Sequence, residues 1–321
     1  MTQTFNTNLS EEDTKRLYIT PALENIWDKN LIRMEYSFTA GRIVVRGSMK
    51  KRKQGKKADY LLHTAENYPI AVVEAKSSSH APADGIQQAI DYATILDIKF
   101  AYSTNGREFV EHDLITGKQR TFPMNAFPTA LELKERLTQG LKLSVEAEQI
   151  IDVPYYSSAE TFPPRYYQRI AINRTVEAVA NGQNRILLVM ATGTGKTYTA
   201  FQIIHRLHAS GMKKKILYLA DRNILIDQTM RQDFKPFQRI MTKVQQKNPA
   251  SGYEIYMSLY GQWVRYDLPE GEKQPYEYMA PDFFDLIIVD ECHRSSVKDD
   301  SEWRAILDYF SSATQIGLTA T

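Results

Sequence analysis

Residues 185–197 read RILLVMATGTGKT: an apolar run, a loop of small residues, and the first two positions of KTYTAFQIIHRLHAS, which has helical periodicity. A strand that passes through a glycine-rich loop into a helix does one thing well. Its backbone N–H groups can approach phosphate oxygens closely, and the helix start favours negative charge there. Thr192, Gly193, Thr194 and Gly195 are expected to form the cradle. Lys196 is expected to meet the β and γ phosphates, and the Thr197 hydroxyl to hold Mg²⁺, so Mg-ATP is the expected ligand.

Working outward, KILYLA (215–220), FDLIIVD (284–290) and QIGLTAT (315–321) are further short apolar runs separated by helical patterns. Runs of this kind predict a parallel sheet buried on both faces. A carboxylate at the carboxyl end of such a strand can meet a metal held at the phosphate loop. DECHR, about ninety residues beyond Lys196, supplies one.

Met190 stands where the general GxxxxGK[ST] loop has its first glycine. ATGTGKT in that form, followed by DECHR, resembles the superfamily 2 helicases. The resemblance implies that Asp290 supports Mg²⁺, that Glu291 orients or deprotonates the attacking water, and that His293 links the nucleotide to a nucleic-acid site. PPRYYQ resembles the adenine-contacting region, with Gln168 reading the base edge and Tyr166 or Tyr167 near its face. KILYLADRNILIDQT and IGLTAT resemble motifs Ia and III. Cys292, the single cysteine, is expected to pack as a small residue. Motors of this kind need a second lobe that supplies an arginine, and the chain stops at Thr321. It is therefore expected to be a fragment that binds nucleotide without brisk hydrolysis or translocation.

The stretch from about 14 to 125 is a separate α/β block. It opens with a helical stretch and carries strand-like runs GRIVV (41–45), ADYLL (58–62), IAVVEAK (70–76) and FAYST (100–104), with a helix around Gly85 to Leu96. In IAVVEAK a period of two puts Glu74 and Lys76 on one face. Asp59 sits in a plausible neighbouring strand. The pattern resembles PD-(D/E)xK nucleases, which implies that Asp59, Glu74 and a backbone carbonyl near Ala75 hold Mg²⁺ while Lys76 positions or activates water. The bare [DE]xK pattern also occurs at Asp13/Lys15, Asp97/Lys99 and Glu132/Lys134; only Glu74/Lys76 has the apolar strand, the upstream Asp and the downstream GIQQAIDYA. There Gln88 and Tyr92 share a helical face, and a QxxxY helix of this kind is found in type I restriction motor subunits and some recombination nucleases. Glu24 or Glu35 is the candidate additional carboxylate. The segment 50–57 holds six Lys or Arg and is a candidate phosphate grip beside Asp59.

At 321 residues two domains are expected; the Pro-containing, aromatic stretch VPYYSSAETFPPRYY reads as a connector, with the boundary near Tyr155 to Pro164. The expected fold class is α/β: a PD-(D/E)xK nuclease-like domain over 1–155, then a RecA-like motor domain over 156–321. A net charge of +2 decides nothing about nucleic acid. No apolar run reaches membrane-spanning length, and the amino terminus lacks a signal-peptide core, so a cytoplasmic protein with no membrane partner is expected. Taken together, the motifs resemble the R subunit of type I restriction-modification enzymes. That resemblance implies double-stranded DNA as substrate, methyltransferase and specificity subunits as partners, and S-adenosylmethionine as a cofactor of the assembled enzyme. It also implies ATP-driven translocation coupled to non-specific cleavage far from the target. A repair or recombination helicase-nuclease, and a non-cleaving ATP-dependent remodeller, are the alternatives that share these motifs.

Overall fold

The computed structural model describes residues 8–39, 43–46, 49–52, 55–65, 68–159, 161–220, 223–244, 252–265, 268–269, 271–292 and 304–320; at 43–46, 49–52 and 223–225 it describes the backbone alone. His293 and most of the basic stretch 50–57 therefore lie outside the described side chains. Two compact units result, residues 1–154 and 155–321. No described helix is long and apolar enough to cross a membrane.

Unit 1 begins with α1 (Glu11–Thr14), a π-helical turn (Lys15–Ile19) and α2 (Thr20–Glu24). Its strands are β1 (Ile32–Phe38), β2 (Ile43–Arg46), β3 (Met49–Arg52), β4 (Lys56–Ala65), β5 (Tyr68–Ala75), β6 (Phe100–Thr104), β7 (Glu108–Asp113) and β8 (Gln119–Pro123). Six of them form one sheet in the order β1-β4-β5-β6-β7-β8, whereas β2 and β3 pair as a separate hairpin. The pairing of β5 with β6 is parallel, which requires a crossover, and α3 (Ile86–Leu96) supplies it. The run IAVVEA is buried throughout because β5 is central, with β4 and β6 on its flanks. Tyr60, Leu62, Val73, Phe100 and Tyr102 form the core with Ile19 and Leu23 from the amino-terminal helices. Also in the core are Leu133 and Leu137 of α4 (Ala130–Leu141) and Ile151 of α5 (Val145–Asp152).

Unit 2 contains α6 (Tyr166–Ala180), β9 (Arg185–Val189), α7 (Lys196–Ala209), β10 (Ile216–Ala220), α8 (Asn223–Arg231), β11 (Met241–Lys243), β12 (Ile255–Leu259), β13 (Leu286–Asp290) and β14 (Thr314–Thr319), with residues 304–309 helical before β14. Its sheet is parallel throughout, in the order β11-β12-β10-β13-β14-β9. The strand after DECHR thus inserts between the phosphate-loop strand and the carboxylate strand.

One expectation needs correction. β10 and β13 are buried along their whole length, but β9 alternates, and Leu187 and Val189 are 61% and 63% exposed. The cause is position. β9 is the edge strand of the described sheet, so RILLV is half-buried where KILYLA and LIIVD are fully enclosed.

Candidate nucleotide and metal sites

In unit 2 the phosphate loop leaves β9 and enters α7 through Gly195, whose φ is +82°; Gly193 has φ +78°. Both values lie in the left-handed region that side chains disfavour, and the resulting bend turns successive amides to one side. No side chain caps the start of α7, which leaves its first N–H groups for an anion. A Cβ at Gly195 would stand 2.5 Å from Gln168 Nε2. That contact shows what Gln168 does here. Its Oε1 accepts from the Arg165 amide at 2.9 Å and its Nε2 donates to the Thr194 carbonyl at 2.9 Å, so it ties the start of α6 to the loop. Gln168, Tyr167, Phe162, Tyr198 and Asp233 line a cleft of about 330 Å³ beside Gly193–Gly195, within the size range of small-ligand pockets. Tyr166 does not line it; its ring packs edge-on against Tyr167.

The carboxyl end of β13 brings the other half. Lys196 Nζ lies 3.2 Å from Glu291 Oε1, and Glu291 itself has φ +54°, a costly conformation for a residue with a side chain. Asp290 Oδ2 accepts a 2.6 Å bond from Tyr218, whose phenol also interacts with the Thr197 side chain. Tyr260 donates to the Asp290 carbonyl at 2.6 Å. Asp290 Oδ1 is buried and has no hydrogen-bond partner among the described residues. Burial, and then the charge of Glu291, raise the Asp290 carboxyl above its usual range against the Tyr218 bond. An unsatisfied buried carboxylate oxygen next to a hydroxyl suits a hard cation such as Mg²⁺. Cys292 packs on the sheet: its N–H donates to Leu318, and its sulfur would lie 3.2 Å from a Cβ at Gly317. Tyr218 and Tyr260 were not identifiable from sequence, because neither belongs to a spacing pattern; only the strand that carries Tyr218 was.

In unit 1, β4 and β5 pair antiparallel with Tyr60 opposite Val73, which sets Asp59 beside Glu74. Asp59 Oδ2 accepts from the Ala75 amide at 2.8 Å, and the Asp59 amide points at Glu74 Oε1 at 3.4 Å. Glu74 Oε2 accepts from Gln88 Nε2 at 2.6 Å; the same amide group donates to the Tyr92 hydroxyl at 3.2 Å, and Gln88 Oε1 accepts from Lys76 Nζ at 3.3 Å. Asp59, Glu74, Lys76, Gln88 and Tyr92 therefore form one connected group. Gly85 lets it close: a Cβ there would stand 2.6 Å from Ser103 Oγ, 3.0 Å from Lys76 Cε and 3.4 Å from Glu74 Cβ. Glu74 is 1% exposed, and burial, then the Asp59 charge, push its carboxyl up to about 8.

Among the described residues no group of three or more His, Cys, Asp or Glu makes a ready metal cage. The two carboxylates still fit Mg²⁺, an ion that keeps several waters and takes one or two protein carboxylates. Glu24 is not brought to this site. It pairs with Lys29 at 3.1 Å at the end of α2. Glu35 is reached only through Lys15, which lies 2.7 Å from Glu35 and 3.2 Å from Asp59. Lys15 belongs to one of the stray DxK patterns, so its spacing carried no sign of this position.

Residues 161–321, half of the chain, match the family model described as "Type III restriction enzyme, res subunit", and residues 27–128 match "Type I restriction enzyme R protein N terminus (HSDR_N)". The chain is 47% identical over 320 residues to the type I restriction enzyme EcoAI endonuclease subunit of Escherichia coli, covering 98% of this chain and 39% of that relative. It is 27% identical over 394 residues to the EcoKI endonuclease subunit of Escherichia coli strain K12, covering 98% of this chain and 33% of that one. The chain thus spans between a third and two fifths of the length of these relatives. A solved fragment described as an HsdR subunit of a type I restriction enzyme from Vibrio vulnificus YJ016 superposes with a TM-score of 0.78 at 41% identity, over 98% of this chain and 55% of that one. The chain belongs to the restriction-enzyme family of the res-subunit model, and across both α/β units it is similar to endonuclease subunits of type I restriction enzymes.

Proposed function

We propose that this chain carries the nuclease domain and the first motor lobe of a type I restriction R subunit, and that it contributes to ATP-driven DNA translocation coupled to non-specific double-strand cleavage. The observation that carries the reading is the presence in one chain of two separate constellations. One is Lys196–Glu291 with Thr197–Tyr218–Asp290, and the other is Asp59–Glu74–Lys76–Gln88–Tyr92. Each has the donor set its chemistry requires.

At the motor site, the amides of Thr192–Gly195 and the start of α7 bind phosphates, and Lys196 exchanges Glu291 for a phosphate oxygen. Glu291, once released, is placed to take a proton from water. Thr197 and Asp290 would hold Mg²⁺, and that ion would offset charge on the phosphate oxygens. Gln168 carries the state of the α6 start to the loop; Tyr167 and Phe162 offer aromatic surface to a base.

At the nuclease site, Asp59 and Glu74 would hold Mg²⁺, which would polarise the phosphodiester. Lys76, steered by Gln88, positions water and stabilises negative charge on the phosphate. Gln88 orients Glu74 and Lys76 at once, and Tyr92 supports Gln88. Methyltransferase and specificity subunits are the partners in this reading, which assigns target recognition to them.

The test is ATP turnover by the whole polypeptide assembled with those subunits and target DNA. Lys196→Ala is expected to abolish turnover while leaving assembly intact, and undiminished turnover would refute the motor assignment.

A further inference from the structure

Lys15 is 3% exposed, yet its ammonium lies 2.6 Å from Glu12, 2.7 Å from Glu35 and 3.2 Å from Asp59 Oδ1. A buried ammonium needs a partner, and one well-placed carboxylate would serve. Here there are three, and two of the local conformations involved are uncommon. The helix widens to π form over Lys15–Ile19, a feature that recurs at functional sites, and Glu35 sits at φ +55°. Glu35 is held from its other side by Lys57.

The position of the contact on Asp59 matters most. Oδ2 is already committed to the Ala75 amide, so Oδ1 is the oxygen left for a metal, and Oδ1 is the atom that Lys15 holds. We propose that Lys15 is a positioning residue of the Asp59 site: a tethered cation that neutralises Asp59 in the metal-free protein and, by repulsion, sets how tightly a divalent ion is held. This rests on the reading of Asp59, Glu74 and Lys76 as a nuclease site. Glu12 and Glu35 give the ammonium somewhere to remain when Asp59 turns to an ion, so the exchange leaves no buried charge unpaired. Glu35 is thus the counterweight. With it the ammonium is shared, and without it the ammonium leans on Asp59.

The two residues therefore have opposite effects on metal affinity, which a purely structural role would not produce. The experiment is Mn²⁺ titration of the whole polypeptide without nucleotide, with free Mn²⁺ read by electron paramagnetic resonance; the component lost in Asp59→Asn defines the site. Lys15→Met is expected to tighten that component by about tenfold, because a unit charge within a few ångströms of the ion is removed. Glu35→Gln is expected to weaken it several-fold. Unchanged or weaker binding in a folded Lys15→Met variant would overturn the proposal while leaving the nuclease reading intact. If Lys15→Met melts, Glu35→Gln decides, and unchanged or tighter binding there overturns it. If Asp59→Asn removes no Mn²⁺ component, the nuclease reading itself fails and the proposal with it.

Discussion

Tyr218 donates its phenolic hydrogen to Asp290 Oδ2 at 2.6 Å, from a strand adjacent to the one that ends in the carboxylate. Because the same phenol also interacts with the Thr197 side chain, it stands between the two side chains that would hold Mg²⁺. Tyr218→Phe removes the donor but little volume. Unit 2 is expected to lose about 1–3 kcal/mol from the unsatisfied carboxylate, read by denaturant unfolding. ADP binding without Mg²⁺ should stay unchanged, and the increment that Mg²⁺ adds should fall several-fold. Equal loss with and without Mg²⁺ would mean that the phenol supports only the fold.

The Lys196–Glu291 ion pair separates binding from turnover. Glu291→Gln removes the carboxylate paired with Lys196 and also removes the proposed base. Nucleotide affinity is expected to stay level or rise, whereas ATP turnover by the assembled enzyme falls by about 100-fold or more. Fluorescent-nucleotide titration and phosphate release read the two quantities separately.

Gly85 is the narrow point of the Asp59–Glu74–Lys76–Gln88–Tyr92 cluster. An alanine there must move Ser103 Oγ, 2.6 Å from the new Cβ, and crowd Lys76. Gly85→Ala is expected to destabilise unit 1 by about 1–3 kcal/mol and to cut cleavage more than stability alone explains. Melting temperature and cleavage rate, measured side by side on the assembled enzyme, test it.

Glu74 gives a pH dependence of known sign. Its carboxyl is raised from 4.5 to about 8 by burial first and the Asp59 charge second. Between those values the unfolded chain has lost the proton while the folded one retains it. The stability contributed by the neutral carboxyl is therefore fully present below about 4.5 and lost as pH rises towards 8. Metal-free protein should unfold more easily at pH 8 than at pH 5, by on the order of a few kcal/mol in unit 1. Glu74→Gln should flatten that slope. Glu111 works at the other end: burial opposes its ionisation, but Arg136 and Arg120 hold it down to about 2, so its contribution is full above about 4.5 and is lost as pH falls from there towards 2.

Much of the candidate sites' layout was legible because its signals are local. A strand, a glycine loop and a helix are contiguous from Arg185 to Ala209. Glu74 and Lys76 are two residues apart, and Gln88 and Tyr92 lie one helical turn apart. The missing parts depend on contacts between distant segments. Lys15 reaches Asp59 across 44 positions, and Tyr218 reaches Asp290 across 72. No periodicity records such meetings. Gln168 was a candidate from sequence for contact with the base edge, but its two bonds to Arg165 and Thr194 depend on the packing of α6 against the loop. The exposure of Leu187 and Val189 was hidden for a related reason: an apolar run reads alike in a central strand and at an edge, and only the sheet order distinguishes them.

In the proposed function unit 1 cuts DNA while unit 2 moves it, and one measurement tests that division most directly. The complete polypeptide, with Asp59→Ala or Lys76→Ala, would be assembled with its methyltransferase and specificity subunits. Displacement of a triplex-forming strand would report translocation, and linearisation of circular DNA would report cleavage. ATP turnover and triplex displacement at the unmodified rate, with cleavage reduced to background, is the predicted result. Cleavage at the unmodified rate in both variants would contradict the account.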